Sequence, residues 1–363
     1  MTDRQTAHQR LEWLDALRGF TMLLVVANHT YGFGFDTNTK YSMFMSLCLL
    51  FRMPLFFFIS GFLAYKASFS WSLRDTGSLV GKKLRVQLIP TLVFMTAEIA
   101  LMGKHFWERM GEAWESPTKG GYWFTIVLLE MLLVYYLVCS LARLGTRHRA
   151  PSPNLHLQPV FLFILWLLSI FAYETLFLPR DFTWRTEPFF RYSSLTEVAR
   201  YLQFFLLGNF CHRYWSHFCR LLDSSWFFPL LVVVAFLGAG DYLKWHNFRM
   251  EWANLPRTCA MYAFVMLWVA FFRHYASWFS QQTRIGCALQ YIGVRTLDIY
   301  LIHYFFIPKL PDVGVWFKAH PTNFVLEGTT AFALAILVVA FSLLTSHVLR
   351  VSPFLKKWLF GRE

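Results

Sequence analysis

Two residues in the first long apolar run carry chemistry that a helix facing only lipid does not need. In LDALRGFTMLLVVANH (14–29) an arginine, Arg18, and a histidine, His29, stand eleven residues apart. At about 1.5 Å rise and 100° per residue, that spacing separates them by roughly 16 Å along a helix but only about 20° around it. Both therefore lie on one face, three turns apart. A second histidine, His303, falls late in another apolar segment, and a carboxylate, Glu130, sits in the middle of FTIVLLEMLLVYYLV. A histidine, a carboxylate and an arginine held at depth are the parts of a general-base site with an oriented imidazole.

Charge inside a bilayer costs at least about 2.5 kcal/mol per group, so every ionisable residue within a span is a functional candidate. Besides those above, the set comprises Arg52, Glu98, Glu174, Arg295 and Asp298. Some have plainer explanations. Asp15 precedes Arg18 by three residues and Asp298 follows Arg295 by three, spacings at which oppositely charged side chains pair on one helix. Glu98 and Glu174 fall near span ends, where a side chain reaches water cheaply. The run Gly81-Lys82-Lys83-Leu84-Arg85 has two readings: a basic anchor beside a span, or a phosphate clamp for an anionic cytoplasmic substrate. Closely spaced His and carboxylate ligands for a metal are not seen, nor is GxSxG or a phosphate loop.

These residues need a scaffold, and the composition says which. Of 363 residues, 56% are hydrophobic and 15% charged, against about a quarter charged in soluble domains. Apolar runs such as VFLFILWLLSIF and TTAFALAILVVAFSLL recur along the chain, as membrane-spanning helices require. The expected fold is all-α and polytopic, with about ten spans at 14–35, 44–65, 86–102, 121–142, 159–178, 196–212, 226–243, 257–273, 286–308 and 326–349. Residues 1–363 are read as one integral membrane domain with no soluble domain, the linker at 146–158 being polar and the connections at 103–120 and 179–195 short.

An even number of spans leaves both termini on one side. That side carries 18 Lys and Arg, among them Lys66, Lys82, Arg143 and Arg213, against 12 on the other, which makes it the cytoplasmic side. Arg18 then points inward and His29 outward. The net charge of +13 resides in these short connections, which argues for a membrane anchor and against a nucleic-acid partner. The six cysteines form no CxxC and fall mostly in or beside spans, as apolar fillers do. No small-residue cleavage site follows the first span.

Four separated segments carry a family likeness. LDALRGFTMLLVVANH resembles the opening of the acyltransferase-3 family of integral membrane acyltransferases, whose signature is arginine, ten residues, then histidine. FRMPLFFFISGFL (51–63), the Tyr122-Trp123-Phe124 entry to span four and TLDIYLIH (296–303) are similar to family segments in the same order. The resemblance implies an enzyme that moves an acyl group, commonly acetyl from acetyl-CoA, onto a hydroxyl of an extracytoplasmic or cell-envelope carbohydrate or glycolipid. It implies His29 as catalytic base, Arg18 as its companion and Glu130 as a site carboxylate. Lys82, Lys83 and Arg85 stand where members show a basic acyl-CoA-binding pair, although Lys82-x-x-Arg85 replaces the usual arginine-x-x-arginine. Arg52, Arg295, Asp298 and His303 are supporting candidates. Neither a bound cofactor nor a metal is expected; acyl-CoA enters as co-substrate. His29 acts as base or carries the acyl group itself, and both routes stay open. The rival reading is a proton-coupled transporter using the buried His, Glu and Arg residues, against which stands the lack of paired broken helices in the two halves. A third is a structural partner that only binds glycan or lipid carriers.

Overall fold

Helices account for almost all of the described residues of the computed structural model, which are 11–38, 42–101, 103, 105–147, 157–177, 188–244, 255–320 and 322–360. Among them there is no strand. The linker at 146–158 and the connection at 179–195 fall largely outside the described residues, as do Arg4, Arg10, Lys40, Lys104, Arg149, Arg180, Arg185, Arg249 and Arg362.

In chain order the helices are α1 (Glu12–His29), α2 (Met43–Ala64), α3 (Leu73–Lys83), α4 (Ile89–Leu101), α5 (Phe106–Glu115), α6 (Trp123–Arg147), α7 (Leu157–Ala172), α8 (Pro188–Tyr192) and α9 (Leu195–Arg213). There follow α10 (Trp215–Leu222), α11 (Phe227–Leu243), α12 (Leu255–His274), α13 (Arg284–Gly293), α14 (Thr296–Ile302), α15 (Pro311–Ala319), α16 (Phe324–Leu349) and α17 (Pro353–Phe360). They pack as two compact units. The first holds 1–56, 220–251 and 256–343; the second holds 57–219, 252–255 and 344–363.

In the first unit α1 is the central element, with thirteen of its 18 residues buried. Burial against protein explains how it carries Glu12, Asp15 and Arg18, which a lipid-facing helix would expose to hydrocarbon. Leu24 packs with Cys48 and Phe51 of α2, and partly buried Phe20, Phe264, Trp268 and Phe332 close around them. Against α13 the contact is backbone to backbone. A Cβ on Gly19 would stand 2.0 Å from the Leu289 carbonyl oxygen, and one on Gly293 would stand 1.9 Å from that of Asp15. Small residues permit such close crossings between membrane helices. After His29 the helix widens into one π-helical turn, Thr30–Gly34.

The second unit gathers α6 and α9 around an aromatic and tyrosine core: Phe57, Tyr135, Phe204 and Phe205 are fully buried. Asn209 Nδ2 reaches the Tyr135 hydroxyl at 3.2 Å, so the polar tip of that core is satisfied. By contrast α7 buries only 17% of its span, and its Phe, Leu and Ile side chains face outward, as a helix against lipid should.

Six helical segments are long and apolar enough to cross a bilayer: 43–64, 73–101, 123–144, 157–175, 255–274 and 324–349. The count rises to eight if each of two bent pairs is one span, α10 with α11 (78°) and α13 with α14 plus the turn after it (68°). About ten spans were expected. The shortfall is α1 and α9, which each carry three Asp, Glu or Arg residues and bury more than half of their residues in protein. The protein is thus a multi-pass, all-helical membrane protein. Both bent pairs lie in its C-terminal half, so they are not one broken helix in each half. The third apolar segment begins earlier than expected: α3, a π-helical turn (Leu84–Leu88) and α4 form one stretch over 73–101, and Lys82, Lys83 and Arg85 lie inside it instead of in a turn before it.

Candidate active site

His29 closes α1, and the regular helix from Glu12 keeps Arg18 on its face, three turns back, as the spacing requires. What the sequence left open is the imidazole's partner. In the first unit the bend between α13 and α14 returns the chain so that His303, at the end of α14, meets His29: Nδ1 of His29 lies 2.7 Å from Nε2 of His303. The ring centroids are 5.0 Å apart and the planes differ by 16°. With so short an edge contact, those values describe two nearly coplanar rings joined end to end, not a face-to-face stack.

The tautomers follow from the backbone. Nδ1 of His303 lies 2.8 Å from the Tyr300 carbonyl oxygen and 3.1 Å from that of Ile299. Carbonyls only accept, so Nδ1 carries the hydrogen, and Nε2 of the neutral ring is left with its lone pair. His29 must therefore donate through Nδ1, which leaves its own Nε2 as a lone pair. His303 is completely buried, whereas His29 keeps part of its surface accessible. One histidine is anchored to backbone and orients a second whose basic nitrogen is available. The logic is that of a carboxylate–histidine pair, with a neutral imidazole in the carboxylate's place.

Aromatic rings hold the pair. Tyr304 lies flat against His29 at 5.2 Å and Phe33 meets it edge-on at 5.7 Å. Arg52, buried in α2, places its positive charge where His29 feels it. Arg295, at the break between α13 and α14, lies 3.7 Å from the Tyr291 ring centroid and donates to the Tyr291 carbonyl oxygen at 3.4 Å. Asp298, one turn later, is buried. Of the supporting candidates, His303 is hydrogen-bonded to the His29 imidazole.

The second unit holds the remaining candidates. Glu130 accepts a hydrogen bond from the Ser194 backbone amide at the start of α9, and it feels the charge of Lys119. Lys119 is buried between α5 and α6, its Nζ donating to the Trp114 carbonyl oxygen at 2.6 Å. In the sequence it stands among connection residues between apolar runs, with nothing to mark it as buried. Burial lowers the tendency of its ammonium to stay protonated, and the carboxylate of Glu130 opposes that effect.

The basic cluster also gains a member. Lys82 acts on Lys66, two residues past α2, and Lys66 is held below the ordinary lysine range, first by desolvation and then by the like charge of Lys82. Two ammonium groups close enough to repel form a place for an anion. Lys66 was invisible as a site residue because a single Lys after a span reads as an anchor.

Glu98 and Glu174 lie in α4 and in the π-helical turn after α7. Among the described residues no group of three His, Cys, Asp or Glu could hold a metal ion.

One protein family, described as an acyltransferase domain, matches residues 11–347. No curated protein and no solved structure matches the chain.

Proposed function

The chain belongs to the acyltransferase-3 family, and from that premise we propose that it transfers an acyl group, acetyl in the simplest case, from acyl-CoA to a hydroxyl of an extracytoplasmic carbohydrate or glycolipid. The observation that carries the reading is the His29–His303 hydrogen bond, because its tautomers leave Nε2 of His29 as a base.

In the proposed reaction Nε2 takes the proton of the acceptor hydroxyl as that oxygen attacks the thioester carbonyl. The tetrahedral oxyanion is stabilised by positive charge from Arg52, and the C–S bond then breaks. His29 returns the proton to the departing thiolate, so the ring ends as it began. The alternative, an acyl group carried on Nε2 of His29, uses the same tautomer and differs in whether a covalent intermediate forms. Arg18, roughly 16 Å along the same helix face, is proposed to meet the donor arm as it approaches from the cytoplasmic side. Lys66, Lys82, Lys83 and Arg85 are proposed to hold the CoA phosphates; the repulsion between Lys66 and Lys82 is relieved when a phosphate enters. The membrane is proposed to be the cytoplasmic membrane, with both termini inside.

Purified protein in lipid nanodiscs, given radiolabelled acetyl-CoA and candidate glycan acceptors, tests the proposal. Wild type is expected to release CoA and label an acceptor, and His29→Ala to lose about 10²–10⁴-fold of that rate. Labelling by His29→Ala at the wild-type rate would remove His29 from the chemistry. Acceptor labelled from another acyl donor but not from acetyl-CoA would retain the enzyme and replace the donor.

A further inference from the structure

Where α1 ends, the backbone changes register at one residue. Were the α-helix to continue, the Phe35 amide would donate to the Tyr31 carbonyl oxygen. It donates instead to that of Thr30, at 3.1 Å, and the Tyr31 carbonyl oxygen accepts from the Thr37 hydroxyl at 2.8 Å. Tyr31 is thus the pivot of the π-helical turn Thr30–Gly34. Turns of this kind are rare and are frequent at functional sites.

The Tyr31 side chain is held from a distant part of the sequence. Its ring is buried in a cluster with Phe35, Met45, Phe317 and Ala331. Its hydroxyl donates to the carboxyl group of Glu327, which lies in the first turn of α16, one turn before Ala331. Glu327 is itself only 5% exposed. An apolar side chain would fill that place at less cost; what a hydroxyl–carboxyl pair adds is one fixed geometry.

The turn so fixed reaches both histidines. It starts directly after His29, and its Phe33 lies edge-on to the His29 ring at 5.7 Å and to the Tyr304 ring at 5.8 Å. Its last two carbonyls meet the chain that leaves His303. The Gly34 oxygen accepts from the Leu310 amide at 2.7 Å, and the Phe33 oxygen from Lys309 Nζ at 3.2 Å. A Cβ at Gly34 would stand 2.8 Å from the Pro308 carbonyl oxygen, so backbone meets backbone there. A return of Tyr31 to the α register would turn these carbonyls away and release the segment after His303 from the end of α1.

We propose that Glu327 is a positioning residue for His29: by holding the Tyr31 side chain it keeps the π-helical turn in register, and the turn keeps His29 hydrogen-bonded to His303. That this governs acyl transfer rests on the acyltransferase reading; that it governs the tautomer of His29 does not.

The test is solid-state ¹⁵N NMR of the full-length protein in lipid bilayers, labelled at histidine, beside acyl-transfer kinetics. The His29 signals are those that His29→Ala lacks. Wild type is expected to show one neutral His29 tautomer, protonated on Nδ1. Glu327→Ala and Tyr31→Phe are expected to mix in the Nε2-protonated form and to lower kcat at least about 10-fold, with the donor KM near its wild-type value. Tyr31→Phe keeps the ring in its cluster, and Glu327→Gln keeps an oxygen that accepts from Tyr31. Glu327→Gln is therefore expected to retain most of the rate and the single tautomer, which separates loss of the hydrogen bond from misfolding. An unmixed tautomer in either Glu327→Ala or Tyr31→Phe would overturn the proposal, whatever the rate. So would a mixture already present in wild type, or a Glu327→Gln as impaired as Glu327→Ala. Mixed tautomers in the variants, with no acyl transfer by wild type, would remove the acyltransferase reading and keep Glu327 in its role. Acyl transfer by wild type, with the tautomer unmoved in the variants, would do the reverse.

Discussion

At the scale of single residues, the consequence of the paired histidines is that His303 works through His29 and not on the substrate. A side chain at 303 that cannot accept from Nδ1 of His29 frees that ring to adopt the wrong tautomer. His303→Ala is therefore expected to lower kcat by about 10²-fold or more while leaving the donor KM near its wild-type value. His303→Asn, whose amide oxygen can accept, is expected to recover part of the loss, whereas a residue needed only for packing would show no such rescue. The basic cluster gives a pH prediction of definite sign. Lys66 is held below the ordinary lysine range, so as pH rises it loses its proton early and the clamp loses charge. The donor KM is expected to climb with pH on the alkaline side, and in Lys82→Gln the climb is expected to begin at higher pH, because the repelling charge is gone. A donor KM flat across the lysine range would detach Lys66 from the donor. That Arg18 and His29 share one helix face was legible from spacing alone, since a helix face is periodic. Lys66 and Lys119 were not, because their significance lies in which charge stands beside them in space.

At the scale of elements, the meeting of His29 and His303 depends on two features of one helix pair. The glycine crossing brings α1 onto α13 with no side chain between them, and the bend at Val294-Arg295 then redirects α14. Gly19→Ala forces a Cβ into the Leu289 carbonyl. It is expected to cost about 1–3 kcal/mol in stability, with a loss of transfer activity larger than the stability loss explains. Thermal unfolding followed alongside acyl transfer checks both, and an unchanged protein would mean the crossing relaxes without moving His303. The sequence made TLDIYLIH visible as a helix ending in histidine. It did not reveal that the partner of that histidine was His29 and not a carboxylate, because hydropathy does not record a 68° bend or which carbonyls a ring faces. The basic cluster was displaced for a related reason. Lys82, Lys83 and Arg85 read in the sequence as a cluster beside a span, whereas one helical stretch from Leu73 carries them, with a π-helical turn at Leu84–Leu88.

At the scale of the whole molecule, the open quantity is how many helices cross. Hydropathy recognises six spans, or eight with the bent pairs, and passes over α1 and α9 because it weighs charge as if every helix faced lipid. Burial inside protein removes that penalty for α1, and α9 repeats the pattern: it carries Glu197, Arg200 and Arg213, and ten of its 19 residues are buried. If α9 crosses, three helices, α6, α7 and α9, separate Thr118 from Ser216. Those two residues then lie on opposite sides of the membrane, and Ser216 shares a side with Ser68, from which Thr118 is separated by the single stretch 73–101. If α9 does not cross, Ser216 shares the side of Thr118. Single cysteines at these three exposed positions, in a background without the native cysteines, distinguish the cases by reaction with a membrane-impermeant maleimide. Thr118→Cys is expected to react in intact cells, and Ser68→Cys and Ser216→Cys only after permeabilisation, the side with the excess of Lys and Arg being the inner one. Reaction of Ser216→Cys in intact cells would remove α9 from the spans and reverse the sidedness of everything after it. His29 and Arg18, which come earlier in the chain, would keep their orientation, so the direction proposed for acyl transfer would survive a smaller number of spans.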